Sequence, residues 1–298
     1  MMSATSSLTT SLLRLVPLAL RRSGPLSATC ELPRIARECR LHIDEGWLRQ
    51  YRRLVGAAEE GVLPPCAPQV LASGLHLAIL GDKRYPFPVL GMVHTKNLIE
   101  ERAPLPEDAT LLLEAALEAV RHTERGVEID IVTTCHVDGE HFDGPPPWRS
   151  VLTALVRRRG TSEGKNVRAS REEHPQGASP SASSSVVQVK SDLGRRYARL
   201  AGDANPIHLT RWSAQAFGFP RAIAHGMWTL QRALSEAEEY LPARPRAIEA
   251  RFVRPVLLPG AIVIHQNKPE ESEHSLTVMP TRNGPPHLVI RSRALPTA

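Results

Sequence analysis

No stretch of this 298-residue chain is apolar for long enough to cross a bilayer. The best candidate, Leu12–Leu20, is broken by Arg14 and Pro17, whereas a spanning helix needs about 20 apolar residues in succession. Those interruptions also make it a poor secretory core. Cysteine is scarce: Cys30, Cys39, Cys66 and Cys135 are scattered and no CxxC occurs. In a chain long enough to build an ample core, that pattern points to reduced thiols in a reducing compartment rather than to a disulfide framework. Cys135-His136 is a lone adjacent pair without the spacing of a metal site, and reads as strand packing. A concentrated basic face is missing too. The net charge is +6, from 37 basic and 31 acidic residues. The excess lies in residues 1–56, with nine Arg against four acids, and in residues 157–173, with six bases against three acids. A nucleic-acid partner needs bases clustered on a structured surface, so none is expected.

Residues 1–30 contain no acid, but hold Arg14, Arg21, Arg22 and many Ser and Thr. Such a segment reads as an organelle presequence or as a disordered or surface-packed bacterial N-terminus. The expected location is cytoplasmic, with the mitochondrion as the alternative.

The composition, 42% hydrophobic and 23% charged, supports a sizeable core. Residues 160–186 are polar and low in complexity, with the run Ala178-Ser179-Pro180-Ser181-Ala182-Ser183-Ser184-Ser185. They bury too little apolar surface to offset the entropy of ordering, and read as a flexible linker. The organisation expected is a leader and extension at 1–56, a first unit at 57–159, the linker, and a second unit at 187–298.

The two units echo each other. In the second, Ile248, Ala250 and Phe252 alternate with Glu249, Arg251 and Val253 before a turn at Leu258-Pro259-Gly260. Short alternating segments follow at Ile262–His265, Leu276–Met279 and Leu288–Ser292. In the first, Val93–Ile99 leads to a turn at Pro104-Leu105-Pro106 and then to Leu111–Leu117, Val127–Thr133 and Val151–Val156. Period-two alternation bounded by Pro and Gly predicts antiparallel strands, and the repetition predicts an internally duplicated α+β protein. Met227, Leu230, Leu234, Ala237 and Leu241 recur at helical spacing and predict an amphipathic helix of about four turns laid on the second sheet. Val70–Leu80 is the weaker counterpart in the first unit.

The chemistry concentrates in Tyr197-Ala198-Arg199-Leu200-Ala201-Gly202-Asp203-Ala204-Asn205-Pro206-Ile207-His208. Asp192–Ala201 is helix-compatible, with Asp192 or Ser191 as N-cap, and Gly202 ends it. Asn205 precedes Pro206 and is pushed out of the α region. Asp203 and His208 therefore lie on a loop, where a turn at Asn205-Pro206 can aim both side chains into one pocket. A carboxylate beside an imidazole is the minimum apparatus for proton transfer near neutral pH. Downstream, Gly218 and Pro220 break the chain, and the predicted helix starts near Gly226. Free N–H groups at a helix start, beside a residue without a side chain, can approach a carbonyl oxygen and stabilise charge developing on it.

Gly-Asp-x-Asn-Pro-Ile-His, preceded by Tyr197 and followed by Ala222-Ile223-Ala224-His225-Gly226-Met227, closely resembles the R-specific enoyl-CoA hydratase (hydratase 2) signature of MaoC-like hot-dog proteins. The specific motifs cover about 30 residues, and a weaker likeness covers most of 60–295. The resemblance implies a tandem double hot-dog, an antiparallel sheet wrapped around a central helix in each unit. It also implies that Asp203 and His208 are the catalytic pair, that Asn205 shapes the loop, and that the Gly226 amide holds the thioester carbonyl. Tyr197 and His225 would line the substrate pocket, or serve only as packing and as a helix cap respectively. The implied reaction is syn addition of water to a trans-2-enoyl thioester, or its reversal, with no metal and no cofactor. The implied partner is an acyl-CoA or an acyl-carrier-protein thioester, and the implied assembly a monomeric pseudo-dimer or a homodimer.

In the first unit, Gly81-Asp82-Lys83-Arg84-Tyr85-Pro86 mimics the start of the signature but lacks the Asn-Pro pair and the following His. It reads as a surface turn, leaving the first unit structural and, by the resemblance, a shelter for a bulky acyl chain. The pairs Arg195-Arg196 and Arg157-Arg158-Arg159 read as solvated faces, or as a contact for a CoA phosphate. The competing functions are a non-catalytic acyl-thioester binder and a thioesterase, but the intact Asp203 and His208 oppose the first and no distinct carboxylate supports the second.

Overall fold

The computed structural model describes residues 33–58, 61–89, 92–141, 144–157, 181–267 and 273–296. Ten antiparallel strands form one sheet in the order β1-β3-β4-β5-β2-β7-β10-β9-β8-β6. In the first half these are β1 (Ala36–His42), β2 (Val93–Glu101), β3 (Thr110–Thr123), β4 (Gly126–Val137) and β5 (Trp148–Arg157). In the second they are β6 (Ser181–Val189), β7 (Arg246–Phe252), β8 (Gly260–Asn267), β9 (Glu273–Pro280) and β10 (Leu288–Ala294). Every alternating segment named from sequence falls within one of them.

The order repeats, since β1-β3-β4-β5-β2 in the first half corresponds to β6-β8-β9-β10-β7 in the second. This places the unit boundaries differently from the composition. Residues 36–55, expected to be extension, form β1 and α1 (Glu45–Val55), and β1 pairs with β3 from Ala36↔Ala116 to His42↔Thr110. The Ser-rich end of the expected linker is the start of β6, an edge strand that pairs with β8. Low apolar content misleads there because an edge strand satisfies its backbone through the ladder, while Ser184 faces water and Ser183 Oγ donates to the Gln266 side chain. The remainder of the expected linker, the leader, Cys30, Arg158 and Arg159 lie outside the described residues.

The second half wraps α6 (Gly226–Ser235). Its Leu230, Ala233 and Leu234 are buried in one core with Ile248, Ala250, Val278 and Ile290 from the sheet. Burying a leucine is worth about 1.5–3 kcal/mol. The helix stops short of the four turns predicted because the Gln266 side chain donates to the Glu236 carbonyl at 3.0 Å and satisfies its end, and Glu238–Tyr240 turns separately as a 3-10 helix. In the first half the central helix is broken into α2 (Ala67–Leu71) and α3 (Ser73–Leu80). Ser73 Oγ donates to Val70 O at 2.7 Å and also bonds Ala201 O, tying the break to the end of α4 (Leu193–Ala201) in the second half. Gly81–Pro86 is a turn in which Asp82 pairs with Arg37 and Arg84. Cys135 is fully buried on β4, and Cys39, Cys66 and Cys135 are free thiols. No helix among the described residues is long and apolar enough to cross a membrane.

The halves meet where β2 pairs with β7, from Lys96↔Arg251 to Glu101↔Arg246. At the end of that seam Arg246 Nε donates to buried Glu101 at 2.6 Å, and Arg244 donates to its other oxygen at 3.3 Å. Removing one partner of a buried ion pair strands the other charge. Glu101→Ala is expected to lower the unfolding free energy by about 3–5 kcal/mol, read from urea denaturation; an unchanged midpoint would show that the seam does not depend on this pair.

Candidate active site

The signature loop follows α4. Gly202 ends that helix in the left-handed conformation, at φ 67°, where a side chain is penalised and glycine is not. Asp192 stands at the N-cap, but its side chain makes no capping bond. The Asp203 Oδ1 then accepts from the Asn205 amide at 3.1 Å, and the Asn205 side chain accepts from the Ile207 amide at 3.4 Å. Two successive Asx turns thus bend the chain at Pro206, and a 3-10 turn, Pro206–His208, carries the imidazole inward. This is the fold-back predicted from Asn205-Pro206.

Two contacts fix the turn. His208 Nδ1–H donates to the Ile223 carbonyl at 2.8 Å, and the Ile223 amide donates back to the Ile207 carbonyl at 3.1 Å. Gly194, at the start of α4, lies directly against the His208 carbonyl, so any Cβ there would overlap that oxygen. Because Nδ1 carries the proton, Nε2 of His208 presents a bare lone pair.

Asp203, His208 and His225 bring their ligating atoms within 4.8 Å of one another. His225 occupies the N-cap position of α6 but makes no side-chain capping bond. Instead its Nε2–H donates to the Asp203 carbonyl at 3.1 Å and lies 3.8 Å from the Asp203 carboxylate. Its ring stacks on His208 at 3.7 Å and 22°, and Tyr197 backs it at 4.8 Å. Tyr197 is buried and its hydroxyl has no partner among the described residues. The structure thus brings His225 against both Asp203 and His208, with Tyr197 packed behind it. The trio does not converge as a metal site would. A histidine's lone pair lies in its ring plane, so two nearly parallel rings this close cannot share one ion, and one nitrogen of each is already committed to a carbonyl.

Burial lowers the affinity of all these imidazoles for a proton. His208 is pushed below its ordinary 6.5, although Asp203 and the Ile223 contact oppose the shift. Burial and the neighbouring His208 take His225 down to about 3. For Asp203, burial acts upward but is outweighed by His225, His208, the Asn205 amide and His94, which hold the carboxyl below its usual value. At neutral pH the site holds a carboxylate among neutral imidazoles. The Asp203 side chain keeps 45% of its exposure, so water reaches it.

Gly226 opens α6, and the first N–H groups of a helix have no intrahelical acceptor. A Cβ at this position would press on the Phe252 ring at 3.0 Å. Phe252 in turn packs against His94 at 4.5 Å. His94, at a bulge in β2, donates from Nε2 to the Lys96 carbonyl at 2.9 Å, and burial takes it down to about 4. Sequence reading missed Gly194, Phe252 and His94. His94 belongs to the half without the signature, and only the β2–β7 pairing brings it near Asp203. A surface hollow of about 100 Å³ lined by Leu98, Ala247, Glu249, Glu273, Arg291, Ser292 and Arg293 touches none of the site residues.

Gly194→Ala is expected to displace the His208 turn and cut turnover by roughly 10²-fold while the far-UV circular dichroism stays that of a folded chain, the scale of an ångström-level misplacement. Full activity in that variant would show that the close approach does not position the imidazole.

Comparison with known proteins adds the family. Residues 172–280 match the MaoC like domain. The chain is 29% identical over 255 residues to 3-hydroxyacyl-thioester dehydratase X of Mycobacterium tuberculosis, covering 86% of this chain and 87% of that protein. It is 25% identical over 201 residues to the peroxisomal enoyl-CoA hydratase 2 of Arabidopsis thaliana, covering 60% of this chain and 64% of the relative. A crystal structure of HtdX from Mycobacterium tuberculosis superposes with a TM-score of 0.72 at 27% identity, over 88% of this chain and all of that one. With the repeated strand order and the signature loop folded as expected, the second half carries a MaoC-like dehydratase domain and the chain as a whole is a double hot-dog.

Proposed function

We propose that this protein is a hydro-lyase that adds water to trans-2-enoyl thioesters to give (3R)-3-hydroxyacyl thioesters, and catalyses the reverse dehydration. The observation that carries the reading is the convergence of an ionised Asp203 and a bare His208 Nε2 beside the start of α6. The relatives named 3-hydroxyacyl-thioester dehydratase and enoyl-CoA hydratase support the reaction class.

In the hydration direction a water is held by one hydrogen to the Asp203 carboxylate and by the other to His208 Nε2. The thioester carbonyl rests on the Gly226 amide, so negative charge that develops on its oxygen as C3 is attacked meets the positive end of α6. The water oxygen bonds to C3 while Nε2 takes a proton. The imidazolium, stabilised by Asp203, returns a proton to C2. One imidazole serving both steps delivers O and H to the same face of the double bond, which is syn addition. Asn205 shapes the loop, and His225 and Tyr197 hold the Asp203 side of the pocket. None of these residues needs a cofactor for its role.

Loss of crotonyl-CoA absorbance, with chiral analysis of the product, tests this. Asp203→Ala and His208→Ala are each expected to lower kcat by at least ~10²-fold. Unaltered turnover in either variant removes that residue from the mechanism, and release of free CoA would identify a thioesterase instead.

The pH profile follows from the protonation states. His208 must be neutral to accept a proton, and its pKa is depressed below 6.5. The rate is therefore expected to stay level as pH falls from 8 to 6.5 and to decline only further into acid, as the imidazole protonates. A rate already falling above pH 6.5 would mean that the imidazole is not depressed, or is not the base.

A further inference from the structure

The rim of the signature loop carries a feature that hydration chemistry does not use. Between Lys190 and His225 the chain holds six bases against two acids, Asp192 and the catalytic Asp203. Arg195, Arg196 and Arg199 occupy the solvent face of α4, whose opposite face, Leu193, Tyr197, Ala198 and Ala201, is buried. Arg211 lies exposed at the start of α5 (Arg211–Gln215), and Arg221 lies exposed in the following loop. Arg195 donates to the Leu209 carbonyl at 3.1 Å, joining the α4 face to the start of α5, and Gln215 reaches the Pro220 carbonyl at 3.5 Å, joining α5 to the loop of Arg221. Among the described residues none of these five arginines makes an ion pair, so the patch keeps its positive charge uncompensated. In their midst Trp212 is 80% exposed, four residues after His208, and Phe217 is 36% exposed.

We propose that this arginine–tryptophan rim is a docking surface for a small acidic protein that presents its acyl group on a phosphopantetheine arm, an acyl carrier protein. The proposal rests on the thioester reading above and specifies the carrier. An indole left in water, on the same helices and loop as five exposed arginines, of which Arg195 and Arg221 bond only the Leu209 and Pro259 carbonyls, is the composition of a recognition surface, since tryptophan and arginine are the residues that dominate interface energies. Its charge selects the partner. A second copy of this chain meeting it across a two-fold axis would face arginine with arginine, which is repulsive. An acidic protein is complementary, and the patch lies on the elements that flank the Asp203–His208 loop. The patch extends over two helices and a loop, which is broader than a phosphate group needs.

The test compares one crotonyl group on three carriers: a small acidic acyl carrier protein, CoA, and uncharged N-acetylcysteamine. For the double variant Arg196→Glu/Arg199→Glu, and separately for Trp212→Ala, kcat/KM on the carrier-protein thioester is expected to fall at least ~10-fold through KM. Turnover of the N-acetylcysteamine and CoA thioesters should stay within about 2-fold, which also shows that the variants are folded. High ionic strength should mimic the double variant on wild-type protein. An equal loss on CoA and carrier protein would make the patch a CoA phosphate site, and no loss on the carrier protein would make it a solvated face. Dissociation of a wild-type dimer by Trp212→Ala would make it a self-interface. Each of these overturns the proposal. If wild-type protein hydrates none of the three thioesters, it is the functional reading that fails. Calorimetric titration with the crotonyl-loaded carrier protein then decides docking by itself, through binding to wild type that the double variant loses.

Discussion

The hydrogen bond from His208 Nδ1–H to the Ile223 carbonyl is the constraint on which the site depends. It fixes the tautomer, leaving Nε2 free to accept, and it ties the signature loop to the segment leading into α6. Without it the imidazole would be an ordinary loop histidine. With it, the carboxylate that starts the loop, the imidazole that ends it and the amide that opens the next helix form one constellation. The reciprocal bond from the Ile223 amide to Ile207 and the missing side chain at Gly194 serve the same contact, one by doubling it and the other by letting α4 close on the His208 carbonyl.

Electrostatics follows from that geometry. Burial alone would raise the Asp203 carboxyl, but three imidazoles and an amide nearby outweigh it, and the carboxylate stays ionised while the imidazoles stay neutral. The pair is poised in opposite senses, one group keeping its charge and the other lacking it, which is the arrangement the proposed activation of a water requires. The start of α6 beside His225 adds a fixed positive end without a titratable group.

The two halves are unequal partners in this. They share a strand order and pair edge to edge through β2 and β7, so the duplication is a true structural repeat. The first half lacks the signature, and its central helix is broken at Ala72–Ser73, yet it contributes His94 against Phe252 and anchors Ser73 at the end of α4. The turn at Asp82, which imitates the signature's first residues, is consumed by surface ion pairs with Arg37 and Arg84.

Local sequence determined much of this protein. Period-two alternation located eight of the ten strands, Gly202 and Pro206 set the bend, and the motif from Gly202 to His208 pointed to Asp203 and His208 through its resemblance to a known signature, because each depends on residues a few positions apart. It failed where local composition and global role diverge. A serine-rich edge strand looks like a linker, because its stability comes from a ladder with β8 that no local pattern encodes, and β1 and α1 look like an extension for the same reason. His94, Phe252 and Gly194 were silent because their roles exist only once strands or helices distant in sequence are packed together. The contacts of His225 were likewise decided by tertiary packing, which stacked its ring on His208 and turned its Nε2 to Asp203. Chemistry carried by one contiguous loop can be read from its letters, but a wall assembled from several elements is decided only when burial and strand pairing bring them face to face.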